Sequence, residues 1–250
     1  SNMQSISGVD GKRFLDAMKL NTAKGAPLSG TKREVVRDLP PELFPDFACP
    51  RDFEPEVYVE INRILQCYAN GERAYPLFKA CLKDEPTMLE IDGEPNYKVR
   101  VFQAAPMAFQ FLIRKYFLPL CRVISMNPLV FECAVGVNPH STEWGSFMTK
   151  LMKEPRAIAI DFKKYDLRMS ASATCEAFEV YFALAEMVGY SSEDINLMRH
   201  IATDIVYPAM SYNGDVIIMI GTNPSGQNLT VYLNSLVNSI YHRCAFSDVY

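Results

Sequence analysis

The amino-acid sequence predicts a mixed α/β protein in which helices and strands alternate through most of the 250 residues. Three patterns support this prediction. The run "AIAID" at 157–161 is short, apolar and bounded, which is typical of a buried strand. Residues 173–188 carry apolar side chains at helical spacing, and residues 207–221 are typical of a hairpin that turns at Asn213-Gly214. A strand followed by helices and a hairpin indicates a mixed fold.

In the first half of the chain, loops rich in proline and small residues separate the predicted elements. Five prolines in one stretch favour extended or loop structure there, and Asn70-Gly71 ends a helical pattern as a C-terminal cap would. A proline inside a helical pattern, Pro119, predicts an interruption. The predicted elements, in chain order, are a loop of small residues at 21–30, a loop or extended stretch at 39–55, a helix at 54–71, a strand at 98–105 and a helix at 106–124.

The second half contains three predicted helices, at 173–188, 193–206 and 228–243. Ser192 precedes the second of these and is a candidate N-cap. The last helix has two faces. Its apolar stripe is Leu229, Leu233, Leu236 and Ile240, and its polar stripe is Thr230, Asn234 and Asn238.

Composition excludes few functions. The chain is 49% hydrophobic with a net charge of -4, so it has enough apolar residues for a core and no overall signature of a nucleic-acid binder. Its seven cysteines form no C-x-x-C pair, which favours reduced thiols, and no apolar run reaches the roughly 18 residues of a membrane span.

The distribution of charge is more informative than the total. No Asp or Glu occurs from Lys98 to Phe131. The same stretch carries the cations Lys98, Arg100, Arg114, Lys115 and Arg122. Such a cluster indicates a local anion site, or else a solvated face whose acidic partners lie elsewhere in the chain.

Asp161 and Asp166 flank a basic, aromatic stretch just after the predicted strand at 157–161. Carboxylates are hard oxygen ligands, and Mg²⁺ takes one or two of them together with substrate phosphates. The alternative is that Asp161 caps the next segment and Asp166 is simply solvated.

The turn "NPSGQ" at 223–227 precedes the last predicted helix. It would present Ser225 and backbone N–H groups at a helix N-terminus, where a phosphate or a ribose could bind. The polar stripe on that helix could hydrogen-bond a sugar hydroxyl or a nearby carboxylate. The alternative is an ordinary turn followed by a solvent-facing polar edge.

The segments "DFKKYD" and "PSGQNLTVYLNS" closely resemble motifs A and B of the viral RNA-dependent RNA polymerases of picorna-like positive-strand RNA viruses. Upstream, "KDEP" (83–86) with "KVR" (98–100) resembles the basic motif F, and "NTAKGAP" (21–27) resembles the template-side motif G. The resemblance covers most of residues 20–243 and implies a fragment of a right-hand polymerase, with fingers and part of the palm.

The resemblance implies a role for each matching residue. Asp161 matches the catalytic aspartate that binds the metal ions, Mg²⁺ or Mn²⁺, and Asp166 matches the acid that senses the ribose hydroxyls. Ser225, Gly226, Thr230 and Asn234 match the rest of the nucleotide and ribose group. The matching basic residues over the triphosphate are Lys83, Lys98 and Arg100, and the template-side positions are Thr22, Gly25 and Pro27.

The chain also departs from the family pattern. Thr222 stands where motif B usually has a second glycine, and the Gly-Asp-Asp of motif C does not occur, because Gly214-Asp215 is followed by Val216 and is read as the hairpin turn. We therefore expect a truncated, inactive polymerase. The expected divisions are fingers at 1–156, palm with motif A at 157–190, an intervening helix and hairpin at 191–222, and the motif B loop and helix of the palm at 223–250.

The partners implied by the resemblance are an RNA template and primer, nucleoside triphosphates and the missing palm and thumb, in the cytoplasm of an infected host cell. One rival hypothesis is a non-catalytic module that binds RNA or nucleotides with polymerase-like motifs. A second is a phosphohydrolase with Asp161 as its nucleophile. Lys163 disfavours this second rival, since such enzymes usually place an acid at that position.

Overall fold

The computed structural model describes residues 1–83, 85–86, 89–91, 93–95, 100–153 and 159–249. The helices are α1 (Asn2–Ser7), α2 (Pro55–Ala69), α3 (Met107–Met126), α4 (Thr142–Leu151), α5 (Tyr165–Arg168), α6 (Ala171–Met187), α7 (Ser192–Val206) and α8 (Thr230–Val249), with 3₁₀ turns at Lys32–Val35 and Pro41–Leu43. The strands are β1 (Val36–Asp38), β2 (Arg51–Phe53), β3 (Leu77–Leu82), β4 (Glu90–Ile91), β5 (Glu94–Pro95), β6 (Val101–Ala104), β7 (Ala209–Tyr212) and β8 (Asp215–Ile218).

A four-stranded mixed sheet has the strand order β6-β3-β7-β8. β3 runs antiparallel to β6 and parallel to β7, and β7 continues into β8 through a hairpin. Asn213 and Gly214 have φ values of 51° and 98°, as both central residues of a type I′ turn require. The predicted hairpin is therefore confirmed, and its β8 strand is exposed along its whole length.

The hydrophobic core lies among the helices and under one face of this sheet. Phe78 of β3 meets Phe109 of α3 at 6.0 Å between ring centroids. Farther along α3, Phe117 meets Phe178 and Tyr181 of α6 at 5.8 and 5.4 Å. Each of these rings is at most 1% exposed, so aromatic packing fixes α3 between the sheet and α6.

A buried carboxylate joins α7 to the start of the sheet. Asp204 accepts hydrogen bonds from the Tyr68 hydroxyl at 2.8 Å, from Arg73 Nε at 2.9 Å and from the Ala74 N–H at 3.2 Å. Its side chain is 0% exposed, and the cation and donors compensate its desolvation. The connection between α2 and β3 is thereby held against α7.

Most predicted helices are confirmed, and three details of the predictions are wrong. Helix α3 continues through Pro119, because the residues buried on both sides of the proline outweigh one lost backbone hydrogen bond. Ser191, not Ser192, caps α7, because its hydroxyl accepts the Asp194 N–H at 3.1 Å while Ser192 already lies inside the helix. α8 is also longer than predicted and reaches Val249.

The part of residues 157–161 that the structure describes does not form the predicted strand. Residues 157 and 158 lie outside the described residues, and Ala159, Ile160 and Asp161 are exposed and belong to no strand. A strand needs a neighbour to accept its backbone hydrogen bonds, and none of the described strands lies beside this segment. The strand predicted at 98–105 is confirmed over Val101–Ala104.

The seven cysteines are free thiols, as predicted. Within the described ranges, no helix is both long enough and apolar enough to cross a membrane.

Candidate nucleotide and template site

Asn223 joins the segment containing Asp166 to helix α8. Its backbone N–H donates to the carbonyl oxygen of Asp166 at 2.9 Å. Its side-chain amide donates to Asn234 Oδ1 at 2.8 Å and to the carbonyl oxygen of Thr230 at 3.0 Å. Asn223 is 1% exposed, so these bonds are shielded from water and hold the two predicted motifs against each other.

Asp166 and Asn234 do not hydrogen-bond to each other, although the sequence allowed the polar stripe of the last helix to bond a nearby carboxylate. Asn223 stands between them and occupies the Asn234 amide oxygen. The Asp166 carboxylate is half-buried and has no partner among the described residues, and the same holds for the NH₂ group of Asn234. An acceptor and a donor are therefore both available to a ligand, which is the combination that a sugar hydroxyl can use.

A surface pocket of about 440 Å³, here called the α8 pocket, lies beside this junction. It is lined by Ile160, Phe162, Tyr165, Asn234, Ser235, Asn238 and His242. The Tyr165 hydroxyl donates to the carbonyl oxygen of Asn234 at 3.2 Å, which fixes one wall. Asn238 Oδ1 is buried and has no hydrogen-bond partner among the described residues, so the pocket keeps an unused acceptor.

Asp161 lies between two residues of this lining, but its own side chain is exposed. It has no hydrogen bond or ion pair to any described residue. Nor does any group of three histidine, cysteine, aspartate or glutamate side chains in the described parts of the chain come together as metal ligands. Asp161 and its described neighbours therefore offer fewer than three such side chains to a divalent ion, which fits a share of a magnesium site.

The predicted motif B turn is bound to the edge strand β6. The Ser225 hydroxyl donates to Gln103 Oε1 at 3.0 Å, and the Ser225 N–H donates to the same oxygen at 3.2 Å. Gly226 forms a bridge to Ala104, and a Cβ at Gly226 would lie 2.1 Å from the Gln103 carbonyl oxygen. Glycine is thus required here for the close approach of two backbones, although its φ is not positive.

Side-chain hydrogen bonds between residues of the turn itself also hold its conformation. Gln227 Nε2 donates to Asn223 Oδ1 at 3.0 Å, and Gln227 Oε1 accepts the Leu229 N–H at 2.6 Å. The Thr230 hydroxyl donates to the carbonyl oxygens of Pro224 and Gln227 at 3.0 and 2.9 Å. The predicted Ser225 and Thr230 hydroxyls therefore already support the loop.

Sequence reasoning missed three residues that shape the site: Gln103, Asn223 and Gln227. Each is a buried amide that holds the turn in place. The amides at both ends of "NPSGQ" are a visible signal, since a buried side-chain amide needs partners and often fixes a loop. No local signal marks Gln103, because its partner is more than a hundred positions away along the chain.

The predicted basic group is described in part, since Lys98 lies outside the described residues. Lys83 and Arg100 both pair with Glu85, at 2.7 and 3.2 Å. The Lys83 hydrogen bond, and after it the charge of Arg100, holds the pKa of Glu85 below its usual value. Arg100 therefore has an acidic partner outside the acid-free stretch, as the alternative interpretation of that stretch proposed.

A larger pocket of about 680 Å³, here called the Lys32 pocket, lies on the other side of the motif B turn. Its lining includes Thr22, Lys32, Phe102, Arg114, Gly226 and Asn228. The predicted template-side Thr22 and the predicted motif B glycine thus face one cavity. Gly25 instead packs on the start of α3, where a Cβ would lie 2.9 Å from Pro106 Cα, and Pro27 is exposed.

Lys32 is the most buried cation of this pocket, at 4% exposure. Its ammonium donates to Gln110 Oε1 at 2.8 Å, and Gln110 in turn donates to the carbonyl oxygens of Ala105 and Gly226 at 2.8 and 3.4 Å. Burial, and after it the charge of Arg114, lowers the pKa of Lys32 to about 8. A positive group with no carboxylate partner among the described residues therefore faces the cavity.

Comparison with known proteins gives a consistent result. The family described as viral RNA-dependent RNA polymerase matches residues 1–250. The chain is 33% identical over 196 residues to the replicase polyprotein of Cricket paralysis virus, covering 75% of this chain and 11% of that protein. It is 27% identical over 253 residues to the replicase polyprotein of Acute bee paralysis virus, covering 97% of this chain and 12% of that protein.

A solved structure, a Sicinivirus 3Dpol RNA-dependent RNA polymerase, resembles the fold with a TM-score of 0.73 at 23% identity. The match covers 94% of this chain and 46% of that one. The chain therefore spans less than half of the polymerase that it resembles, and about a tenth of the two polyproteins.

Proposed function

The chain belongs to the viral RNA-dependent RNA polymerase family, and we propose that it forms the nucleotide-selecting and template-side part of such an enzyme. The reaction is template-directed nucleotidyl transfer in the replication of a positive-strand RNA virus, inside an infected host cell. Its partners are an RNA template, a primer and nucleoside triphosphates. Residues 1–156 act as fingers, 157–190 and 223–250 belong to the palm, and 191–222 connect them.

One observation carries this proposal, namely the bridge made by Asn223. It bonds the backbone of Asp166 and the side chain of Asn234, and the Asp166 carboxylate and the Asn234 NH₂ group each lack a partner among the described residues. An incoming ribonucleotide differs from a deoxyribonucleotide by its 2′-OH, which can donate to a carboxylate and accept from an amide. These two side chains therefore select ribose.

The Asn223 bridge also explains why the loop around Ser225 is closed so tightly. Selection by hydrogen bonds works only if the donor and acceptor are held before the substrate arrives. Gln103 fixes the loop from the side of the sheet, and Gln227 fixes it from inside. Ser225 and Thr230 act here as positioning residues for the pocket.

Two divalent ions, Mg²⁺ or Mn²⁺, would activate the primer 3′-OH and stabilise the leaving pyrophosphate when bound. Asp161 would hold them at the exposed position beside the α8 pocket, together with carboxylates from the rest of the polymerase. Lys83 and Arg100 would neutralise the triphosphate once it displaces Glu85 from them.

The test replaces Asn234 by alanine in the complete polymerase and compares incorporation of ribo- and deoxyribonucleotides. Loss of one hydrogen bond should reduce discrimination by about fivefold, the equivalent of about 1 kcal/mol. Asn196→Ala, at an exposed position on α7, is the matched control and should discriminate normally. Unchanged selectivity in the Asn234→Ala enzyme would contradict the proposed role.

The second candidate is a module that binds RNA or nucleotides without catalysis. It is favoured by one observation, the buried Lys32 that lines a pocket and has no carboxylate partner among the described residues. Asp161→Ala in the complete polymerase distinguishes the two functions. If Asp161 is catalytic, its removal abolishes primer extension. If the protein only binds RNA or nucleotides, neither the parent nor the variant extends a primer.

A further inference from the structure

A third pocket, of about 440 Å³, lies on the outer side of helix α3 and is here called the α3 pocket. One wall is formed by Lys115, Leu118, Pro119 and Arg122, which share a helix face at positions i, i+3, i+4 and i+7. The opposite wall comes from α1 and from the segment that follows it, including Val9, Lys12 and Leu15. The pocket thus has an apolar floor with cations at its rim.

These cations lack acidic partners. No described carboxylate lies within ion-pair distance of Lys12, Lys115 or Arg122, and no Asp or Glu lines the pocket. Lys115 lies over the ring of Tyr116 at 5.4 Å, and both Lys115 and Arg122 are half-buried. Half-buried charges that lack a counter-charge are poorly compensated, so the pocket favours an anionic ligand.

The α3 pocket adjoins the Lys32 pocket through Arg114, which lines both. Arg114 donates from Nε to the carbonyl oxygen of Ser5 at 2.7 Å and from Nη2 to that of Asp16. Its guanidinium is therefore fixed in the wall between the two cavities. Its positive charge is close to both of them. Lys32, Arg114 and Arg122 therefore lie along two adjoining pockets, in which Asp16 of the Lys32 pocket is the one carboxylate among the described lining residues.

We propose that the α3 pocket binds phosphate groups of the single-stranded RNA template outside the Lys32 pocket. This inference rests on the proposed function, because it needs an RNA strand in the Lys32 pocket. RNA phosphates fit better than an acidic peptide, since cations in two adjoining pockets that share Arg114 suit a repeating chain of charges. The template footprint is then longer on this side than motifs A, B, F and G alone would give.

The experiment measures binding of fluorescein-labelled oligouridylates of about 4 and about 16 nucleotides to the 250-residue chain, by anisotropy at several salt concentrations. The variant is Lys115→Gln/Arg122→Gln. The long oligonucleotide can fill both pockets more completely than the short one, so the variant should weaken binding of the long one on the order of fivefold and that of the short one by less. The slope of log affinity against log salt should fall by about 1.4.

The matched control is Lys150→Gln/Lys153→Gln, which removes two exposed charges near the end of α4. It should keep the affinity and the salt slope of the parent chain, which separates a local effect from one of net charge. Lys115→Arg/Arg122→Lys keeps both charges and should restore binding of the long oligonucleotide.

Three results would overturn the inference. If the short oligonucleotide binds and the Lys115/Arg122 variant retains the full length-dependent gain, the α3 pocket is not a template site and the proposed function stands. If neither oligonucleotide binds even at low salt, both proposals fail for this chain. If the variant loses affinity only for a labelled Glu-Leu repeat peptide, the pocket binds an acidic protein segment instead.

Discussion

Thr222 is the residue under the clearest local strain. It has φ of 109°, it is 5% exposed, and its hydroxyl is buried without a partner among the described residues. A β-branched residue at positive φ costs on the order of 1–3 kcal/mol, and an unsatisfied buried hydroxyl adds a similar amount. The sequence departs here from the usual second glycine of motif B, and the backbone keeps the glycine-like conformation.

Thr222→Gly should therefore raise the free energy of unfolding by about 1 kcal/mol, after the entropy cost of glycine and the lost methyl contact are subtracted. Urea denaturation measures it. Thr222→Val removes the hydroxyl and keeps the backbone strain, so its free energy of unfolding should rise by less than that of Thr222→Gly. A glycine variant less stable than the valine variant would mean that the backbone is not strained at this position.

Lys32 makes stability depend on pH in the alkaline range. Its pKa is about 8 in the folded protein and 10.5 in the unfolded chain, so between these values the unfolded chain binds more protons. Stability attributable to this group should therefore rise with pH across that window, by about 1 kcal/mol per pH unit. The measurement is urea denaturation from pH 8 to pH 10, taken as the difference from Lys32→Met.

The comparison with Lys32→Met is needed because other groups change the stability with pH in the opposite direction. Burial and then the Asp204 charge raise the pKa of Tyr68, so its contribution is present below about pH 10 and is lost at higher pH. Lys32→Met lacks the lysine contribution and retains that of Tyr68. Parallel pH curves for the two proteins would contradict a buried, charged Lys32.

At the scale of elements, the seam between the motif B turn and β6 is the tightest contact of the candidate site. Gly226→Ala would place a methyl group 2.1 Å from the Gln103 carbonyl oxygen, which is a backbone atom that cannot move alone. We expect a loss of roughly 1–3 kcal/mol, as for other overpacked positions, together with release of the loop from β6.

Gly145→Ala is the control, because a Cβ at that helical position meets nothing within 4 Å. Alanine is the better helix former there and should stabilise the chain by about 0.5–1 kcal/mol. Thermal unfolding should thus shift in opposite directions for the two alanine variants. Equal shifts would mean that the loop does not depend on its backbone contact with β6.

The elements that were predictable from sequence are those determined by local pattern. Helix α6 follows an apolar periodicity, and the β7–β8 turn follows from the φ requirement of Asn213-Gly214. The strand at 157–161 was predicted equally locally, and its described part is not a strand. A strand depends on a partner that the pattern of one segment cannot supply.

The residues of the candidate site also fall into two groups, those that a local sequence pattern identifies and those that depend on contacts made by the fold. Asp166 and Asn234 were identified through a motif resemblance, and the structure brings them to one junction. The side chain that joins them, Asn223, and the one that holds the loop, Gln103, act through contacts distant in sequence or specific to the fold. Such contacts leave no periodicity behind, so residue pattern alone could not assign them.

For the molecule as a whole, two cavities lie near the motif B segment. The α8 pocket is lined by Asn234 of α8, and the Lys32 pocket is lined by Gly226 and Gln227 of the preceding turn. Under the proposed function, an RNA strand would occupy the Lys32 pocket and a nucleotide would lie near the α8 pocket, with the turn held by Gln103 and Asn223 between the two motifs. The proposal requires such proximity, because the template base and the incoming sugar must be positioned together.

Residues 1–250 alone should lack polymerase activity. Asp161 is exposed and belongs to no group of three metal-binding side chains among the described residues, so we expect Mg²⁺ to bind weakly, since it requires near-octahedral geometry and loses water reluctantly. The chain should therefore not extend a primer on a homopolymer template with Mg²⁺ or Mn²⁺. RNA binding should persist at low salt through Lys32 and Arg114 and weaken steeply as salt rises. Primer extension that occurs with this chain and disappears in Asp161→Ala would show that it completes a metal site from its own residues.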